Sequence, residues 1–390
     1  MNKVIIGGVG NTEYGRFVQT TLKQLSLTAV ENLFNASVLT PAETQRVYFA
    51  NAAAGIMTEQ EMVRGQTLLR GHPLSRQPLI NIENACASSG SALYLAFQAI
   101  RHGELECAVV IGAEKLNHAY KDRAFRALWG ATDVEQTGPY PSAGSSQSVL
   151  MEYYASLAQN YLKSGHVTLE DFARVAVKNR DNAALNPIAQ FRHLQSVEDV
   201  LNATVISDPL TLPMCAPLTD GSTAILLCSE RIARERQVPL IEIKACTLSG
   251  SEEPGQSPVV PATQQAYAAT GYDPWEMDLI ELHDAAAPAE ILQYAEIGLC
   301  TMDDAAQLIR SGATSISGKL PVNTSGGLLS RGHALGATGN AQLAEIYDQL
   351  CGTAGKRQLA QAKRGMAVNG GGWMDGTYIV AVCTIIETLN

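Results

Sequence analysis

The 390-residue chain runs through a pattern of strands and helices and then, near residue 235, begins the pattern again. Such a repeat restricts the fold to two similar α/β halves, because alternating strands and helices are stable only as a sheet with helices packed on it. In the first half Val4–Gly8 reads as a short strand, and Leu22, Leu25, Ala29, Val30, Leu33 and Phe34 lie on one helical face. Val47–Ala50 is another strand, and residues 79–112 give a buried strand, a turn carrying Cys86, a helix and a further strand. In the second half Pro239–Leu248 repeats the opening strand, Met277–Leu282 ends in His283-Asp284, and Gly332-His333 opens a helix with Leu343, Ile346, Tyr347 and Leu350. The spacing places the division between residues 1–234 and 235–390. Residues 114–210 differ in texture: they are more polar, with helices at about 147–164 and 170–185 and no core strand, and read as an inserted lid-like region that shapes a pocket.

Composition narrows the function. A content of 46% hydrophobic and 17% charged residues suits a large-cored protein, and a net charge of -10 leaves no basic stripe for a nucleic acid. Eight cysteines without C-x-x-C spacing point away from a zinc site or a redox dithiol, so no metal is expected and a reducing cytoplasm is the simplest home. Gly10 offers part of a dinucleotide fingerprint, but Glu13 stands where its third glycine belongs. The opening apolar run is too short for a signal peptide and reads as a strand, no stretch reaches the length of a membrane span, and neither a peroxisomal address nor membrane association is expected.

Cys86 stands out among the cysteines. At the start of a helix a thiol faces unpaired backbone N–H groups and the positive end of the dipole, which favours thiolate and raises nucleophilicity. Its neighbours Ala85, Ala87, Ser88, Ser89, Gly90, Ser91 and Ala92 are small enough to admit a substrate. The alternative is a buried cysteine acting as a small hydrophobe, the common fate of free thiols and the reading given to Cys107, Cys215, Cys228, Cys246, Cys300, Cys351 and Cys383. His283 and His333 also fall at strand ends, where α/β sheets build sites. A cysteine with a histidine base is a nucleophilic pair, a second histidine can stabilise an oxyanion, and the glycines 370–372 can add backbone N–H donors. His72, His102, His118, His166 and His193 have no such setting.

Four blocks give a specific resemblance: NACASSGSA around Cys86, HDAAAPAE at 283–290, NTSGGLLSRGHALGATG at 323–339 and NGGGWMDG at 369–376. They resemble the signatures of the thiolase superfamily, above all the branch of the sterol carrier protein two thiolases, which has His-Asp where common thiolases have Asn-Glu. The resemblance covers essentially the whole chain. It implies two pseudo-symmetric βαβαβαββ-type halves in a five-layered α-β-α-β-α arrangement, and a homodimer or higher oligomer. Cys86 would then be the acyl-accepting nucleophile, and His333 the group that activates it and polarises the thioester oxygen. His283 would complete an oxyanion hole, and the backbone N–H groups of Cys86 and Gly370 would form a second. Ser325, Gly326 and Gly371 belong to blocks expected to touch substrate. Coenzyme A is the implied co-substrate, with no permanently bound cofactor, and Lys121, Arg123 and Arg126 could meet its phosphates.

Two departures from the family bear on the chemistry. Common thiolases carry a proton-moving cysteine where Val368 stands, and the His-Asp branch often carries one where Ala285 stands. Either His283 takes over the acid/base work or the reaction needs no such thiol. The leading expectation is cleavage or formation of a 3-oxoacyl-CoA through an acyl-Cys86 intermediate. A decarboxylating condensing enzyme, a C-, O- or N-acyltransferase without thiolysis, and an acyl-CoA-binding subunit of a multienzyme complex stay open. Relatives of this branch often work with a small zinc-ribbon and oligonucleotide-fold partner.

Overall fold

The computed structural model describes residues 1–140, 148–251 and 253–389; of the inserted region, whose residues 138–148 form a stretch rich in Gly, Pro and Ser, 141–147 lie outside the described residues. The first half contributes β1 (Val4–Asn11), β2 (Arg46–Ala50), β3 (Leu79–Ile82), β4 (Cys107–Glu114) and β7 (Gly221–Ser229) to the main sheet. The second contributes β8 (Ile241–Gly250), β9 (Leu279–Glu281), β10 (Arg364–Gly371) and β11 (Val380–Thr388). A separate hairpin pairs β5 (Val205–Ser207) with β6 (Leu210–Thr211) inside the inserted region.

The strand order β3-β2-β4-β7-β1-β8-β11-β10-β9 is a palindrome of roles. In each half the first strand pairs antiparallel with the last, the last pairs antiparallel with the main-sheet strand before it in sequence (β4 or β10), and that strand pairs parallel with the second. The place corresponding to β3 is held in the second half by Val322, bridged in parallel to Ile280. One pairing, Ile5 with Glu242, joins the halves into a continuous nine-stranded sheet. β4 and β7 are buried throughout, which their unalternating sequences CAVVIGAE and GSTAILLCS require of strands covered on both faces. β3 departs from the expectation of a buried strand. It lies at the sheet edge with Ile80 41% exposed, because only β2 pairs with it.

Helices complete the layers. Leu22–Ala36 covers the outer face of the first half, through Leu22, Ala29, Val30 and Leu33 against Ile5, Val109 and Leu226. Val259–Thr270 and Ala287–Glu296 cover that of the second. Between them lie the central helices Ser88–Arg101 and Thr338–Cys351, whose Leu93, Phe97, Leu343 and Ile346 share one core with Val110 of the first half and Ile243 and Val382 of the second. Asn340 Nδ2 donates to the carbonyls of Val110 and Thr223 (3.2 and 3.1 Å), and Gln342 Nε2 to that of Val368 (2.9 Å), so Thr338–Cys351 is tied to both halves. No helix among the described residues is long and apolar enough to cross a membrane.

The central helices touch at their first turns. A Cβ at Gly339 would lie 2.7 Å from the Gly90 nitrogen and 2.6 Å from Asn369 Oδ1, so only glycine permits this approach. Gly339→Ala should therefore lower stability by about 1–3 kcal/mol, although alanine is the better helix former by ~1 kcal/mol. A urea midpoint at or above that of the parent chain, with unchanged slope, would contradict this packing account.

Candidate active site

The loops that open the two central helices meet at the Gly90–Gly339 contact and carry the reactive side chains. Cys86 sits in a 3-10 turn, Ala85–Ala87, and Ala85 before it is held at φ 48°, a left-handed conformation that alanine rarely adopts. Gly371 of β10 abuts this turn: a Cβ there would lie 2.3 Å from the Asn84 carbonyl oxygen and 2.8 Å from the Ala87 nitrogen. The turn and β10 are thus locked together.

Opposite, His333 Nε2 lies 3.2 Å from Cys86 Sγ. Thr338 Oγ1 donates to the Ala334 carbonyl (3.0 Å) and can therefore only accept from His333 Nδ1, 2.9 Å away. This puts the hydrogen on Nδ1 and presents the Nε2 lone pair to the thiol. The His333 backbone N–H donates to Thr219 Oγ1 (2.9 Å). Glu114 at the end of β4 accepts from the backbone N–H groups of Ala52, Ala53 and Gly336 (2.9, 3.2 and 3.1 Å) and from Asn51 Nδ2 (2.8 Å), pinning the His333 loop to the first half.

His283 completes the group: Sγ of Cys86 and one nitrogen of each histidine lie within 4.8 Å of one another. Asn369 Nδ2 donates to the Cys86 carbonyl (3.1 Å) and to His283 Nδ1 (3.2 Å). An acceptor at Nδ1 requires the hydrogen on Nε2, so a neutral His283 offers an N–H donor and no base at that atom. Tyr378 stands edge-on to the His283 ring at 5.4 Å, and its hydroxyl donates to the His283 carbonyl (3.2 Å).

Burial decides the charges. It pushes the Cys86 thiol up to about 12, with Glu114 and Glu83 adding to the effect. The expectation of a thiolate favoured by the helix start is therefore corrected: desolvation, a full-charge penalty, outweighs a partial dipole charge. Burial, then Arg331, holds His283 down to about 3. Burial, then His283 and Arg331, hold His333 well below the ordinary imidazole value. The resting pair is thiol and neutral imidazole.

Cys86, His283, His333, Ala285 and Gly371 line one cavity of about 540 Å³. The inserted region supplies much of its wall through Phe125, Leu128, Leu150, Met151, Tyr154 and Ile206. Other residues singled out from sequence lie elsewhere. Ser325 is buried with its hydroxyl donating to Glu281 Oε2 (2.6 Å), and Gly326 packs on Ala183. Gly370 is not on the cavity wall but is paired with Ala381 inside β10. Of the helix Asp122–Trp129, Phe125 and Leu128 face the cavity. Arg123 pairs with Glu59 (2.9 Å), Arg126 is exposed, and Lys121 lines a separate open cleft with Arg16 and Arg192. Cys215, read as structural, lines the active cavity, and Val368 is buried in the outer core of the second half. Asn369, Thr338 and Glu114 were not singled out. Their only signals in sequence are adjacency to the glycine triplet, the distance of five residues from His333, and a carboxylate ending an apolar strand.

A thiol held against an imidazole at the facing mouths of two duplicated helices is an arrangement suited to covalent acyl transfer. Residues 4–231 match the family model for the thiolase N-terminal domain, and residues 243–383 that for the thiolase C-terminal domain-like family. The chain belongs to the thiolase superfamily and is an acyltransferase enzyme of that class. It is 32% identical over 388 residues to an acetyl-CoA acetyltransferase of Methanothermobacter thermautotrophicus, covering 95% of this chain and 97% of that one. It is 32% identical over 358 residues to the benzoylsuccinyl-CoA thiolase subunit BbsB of Thauera aromatica, covering 89% of each. Human sterol carrier protein 2 is 33% identical over 319 residues, 78% of this chain and 58% of the human protein. Among solved structures, the Ltp2-ChsH2(DUF35) aldolase superposes with a TM-score of 0.78 at 23% identity over 99% of this chain and 98% of that one. Human mitochondrial 3-ketoacyl-CoA thiolase in complex with CoA gives 0.74 at 18% identity over 100% and 98%. At these identities the structures speak for the fold.

The charge state predicts a pH signature. With the thiol near 12, iodoacetamide alkylation of Cys86 should keep accelerating from pH 8 to pH 11. A plateau already reached at neutral pH would mean a resting thiolate. Because His333 is neutral well below its ordinary value, the acid limb of kcat/KM should fall below pH 6.5.

Proposed function

We propose that the protein cleaves or forms 3-oxoacyl-CoA thioesters through an acyl-Cys86 intermediate. The observation that carries this reading is the 3.2 Å contact between Cys86 Sγ and the lone-pair nitrogen of His333, whose tautomer Thr338 sets. In the cleavage direction His333 Nε2 takes the thiol proton as Sγ bonds to the keto carbon. The bond between the second and third carbons then breaks, leaving the acyl group on Cys86 and an enolate of the shorter thioester. The His333 imidazolium returns its proton to the enolate carbon, which closes the proton balance without the thiol missing at Val368 and Ala285. Coenzyme A then gives its thiol proton to His333, attacks the acyl-enzyme, and regenerates the Cys86 thiol.

His283 acts here as an oxyanion donor. Its Nδ1 is occupied by Asn369, and the Nε2–H is suited to stabilising the enolate oxygen of the thioester, the charge that develops in carbon–carbon cleavage. The backbone N–H of Cys86 and the glycines after Asn369 are the second oxyanion site in this proposal. Retention of Cys86 with both histidines favours catalysis over a purely acyl-CoA-binding role.

The proposal includes coenzyme A as co-substrate, a homodimer or higher oligomer, and a cytoplasmic setting consistent with eight free cysteines. A second copy could extend the sheet at β3, whose edge exposes Ile80. One solved relative is titled as a complex with a DUF35 chain, and another relative is named as a subunit, which supports a small partner for this chain as well.

His283→Ala should still acylate Cys86 from a simple acyl-CoA, yet lose carbon–carbon cleavage by roughly 10²–10³-fold, the usual cost of one oxyanion donor. His333→Ala should lose both half-reactions. Intact-mass loading and thiolysis rate, measured on the same preparations, separate the two steps. Equal loss of both in His283→Ala would contradict the assigned role.

A further inference from the structure

The enolate released in carbon–carbon cleavage needs a proton on carbon, while the group that holds one is aimed at sulfur: His333 Nε2 lies 3.2 Å from Cys86 Sγ. The enolate oxygen is assigned to the His283 Nε2–H, and two residues beyond His283 stands Ala285, which has no proton to give. A side chain that hands the proton across must line the cavity, keep its hydrogen uncommitted and be neutral at working pH. The Tyr154 hydroxyl donates to that of Tyr378 (3.3 Å), and Tyr378 donates to the His283 carbonyl (3.2 Å), so both tyrosine hydrogens are already placed. Glu152 is exposed, and Ser148 and Ser207 are half-exposed, so these lining groups face water. Cys215 meets all three conditions. It lines the cavity, is 7% exposed, and its thiol has no hydrogen-bond partner among the described residues. Burial pushes it up to about 12, which keeps the hydrogen on sulfur.

The backbone sets this thiol beside the place where Ala285 stands. Cys215 leaves the 3-10 turn Leu212–Met214 in an extended conformation, with φ -119° and ψ 136°. It pairs antiparallel with Ala286, and the next N–H, that of Ala216, donates to the Ala285 carbonyl (3.0 Å). Three residues further on, Leu218 pairs in parallel with His333. One short stretch thus touches both histidine loops, with Cys215 at its His283 end. Among the described cysteines only Cys86 and Cys215 line the cavity.

We propose that Cys215 is a further catalytic residue, the thiol through which the proton held by His333 reaches the enolate carbon. This rests on the thiolase reading and refines its protonation step. The S–H bond of Cys215 breaks as the C–H bond of the shorter thioester forms, and the His333 imidazolium then gives its proton to the Cys215 thiolate. Thiol and neutral imidazole are both restored. In the direction of synthesis the same steps run backwards and withdraw a proton from the carbon next to the thioester.

The test separates proton transfer from acylation. The full-length protein is given acetyl-CoA in D2O, and deuterium gained at the carbon next to the thioester is read by mass alongside loading of Cys86 on the intact protein. Cys215→Ala should lower this exchange, and the thiolysis of a 3-oxoacyl-CoA, on the order of 10²–10⁴-fold, the usual contribution of a positioned acid, while loading of Cys86 stays within about twofold. Cys215→Ser, which keeps the size of the side chain but not its acidity, should show the same split. Adding Ala285→Cys to Cys215→Ala should restore exchange by ~10-fold or more, a rescue that lost packing at residue 215 would not give. Exchange at the parent rate in Cys215→Ala, equal loss of loading and exchange in both single variants, or no exchange in a parent chain that loads Cys86 would overturn the proposal and leave the acyl-enzyme standing. A parent chain that takes no acyl group on Cys86 would instead overturn the acyl-enzyme reading, and this proposal with it.

Discussion

The active site depends on a contact that contains no catalytic group: the meeting of two helix starts at Gly90 and Gly339. Each central helix belongs to its own half and carries a reactive side chain in the loop before it, so the chemistry of one half can reach that of the other only if the helices touch. A side chain at Gly339 would push them apart, since a Cβ there meets the Gly90 nitrogen at 2.7 Å, while one at Gly90 would meet Asn369 Oδ1 at 2.9 Å on the adjoining strand. The Ser89 hydroxyl accepts from the Asn340 N–H (3.1 Å) across the same contact. Cys86, in the 3-10 turn before one helix, and His333, in the loop before the other, are placed in reach by it. Duplication thus gives the chain two helix mouths, and small residues let them share one cavity.

The second constraint is dryness. Nearly every group around the thiol is buried, and the same burial that keeps Cys86 protonated also keeps both histidines neutral. A site without a resting charge makes nucleophile activation part of the attack itself. Neutral hydrogen bonds then carry the orientation. Thr338 directs the base nitrogen of His333 at sulfur, and Asn369 directs the donor nitrogen of His283 away from the backbone. Arg331 lies fully buried near both histidines, 3.7 Å from Glu281, and its field opposes their protonation.

Much of this was legible in the sequence because it is local. The periodicity of Leu93, Ala96, Phe97 and Ile100, the unbroken apolar runs of β4 and β7, and the restart of the pattern near residue 235 report directly on helices, buried strands and duplication. Cys86 and His283 could be singled out because each follows a strand end beside small residues; His333, expected at a strand end as well, instead follows the short helix Gly327–Ser330. What escaped depends on tertiary placement. Asn369 matters because β10 runs beside the Cys86 turn, and Glu114 because two separate loops, around Ala52 and Gly336, converge on it. The outward face of Asp122–Trp129 could not be told from the inward one by charge alone, so Arg123 and Arg126 were expected where Phe125 and Leu128 stand. β3 has the apolar sequence of an interior strand yet lies at the edge. The thiol's protonation state was misread because a helix start is visible in sequence and burial is not.

The central claim is that carbon–carbon cleavage passes through an acyl group on Cys86. The most direct measurement is acid-quenched peptide mapping after the enzyme has been mixed with a 3-oxoacyl-CoA in the absence of free coenzyme A. The account predicts one acyl mass added to the peptide containing Cys86, with the other seven cysteines unmodified and no adduct in Cys86→Ala. Consumption of the 3-oxoacyl-CoA with Cys86 unmodified throughout, or with the acyl group on another residue, would contradict it.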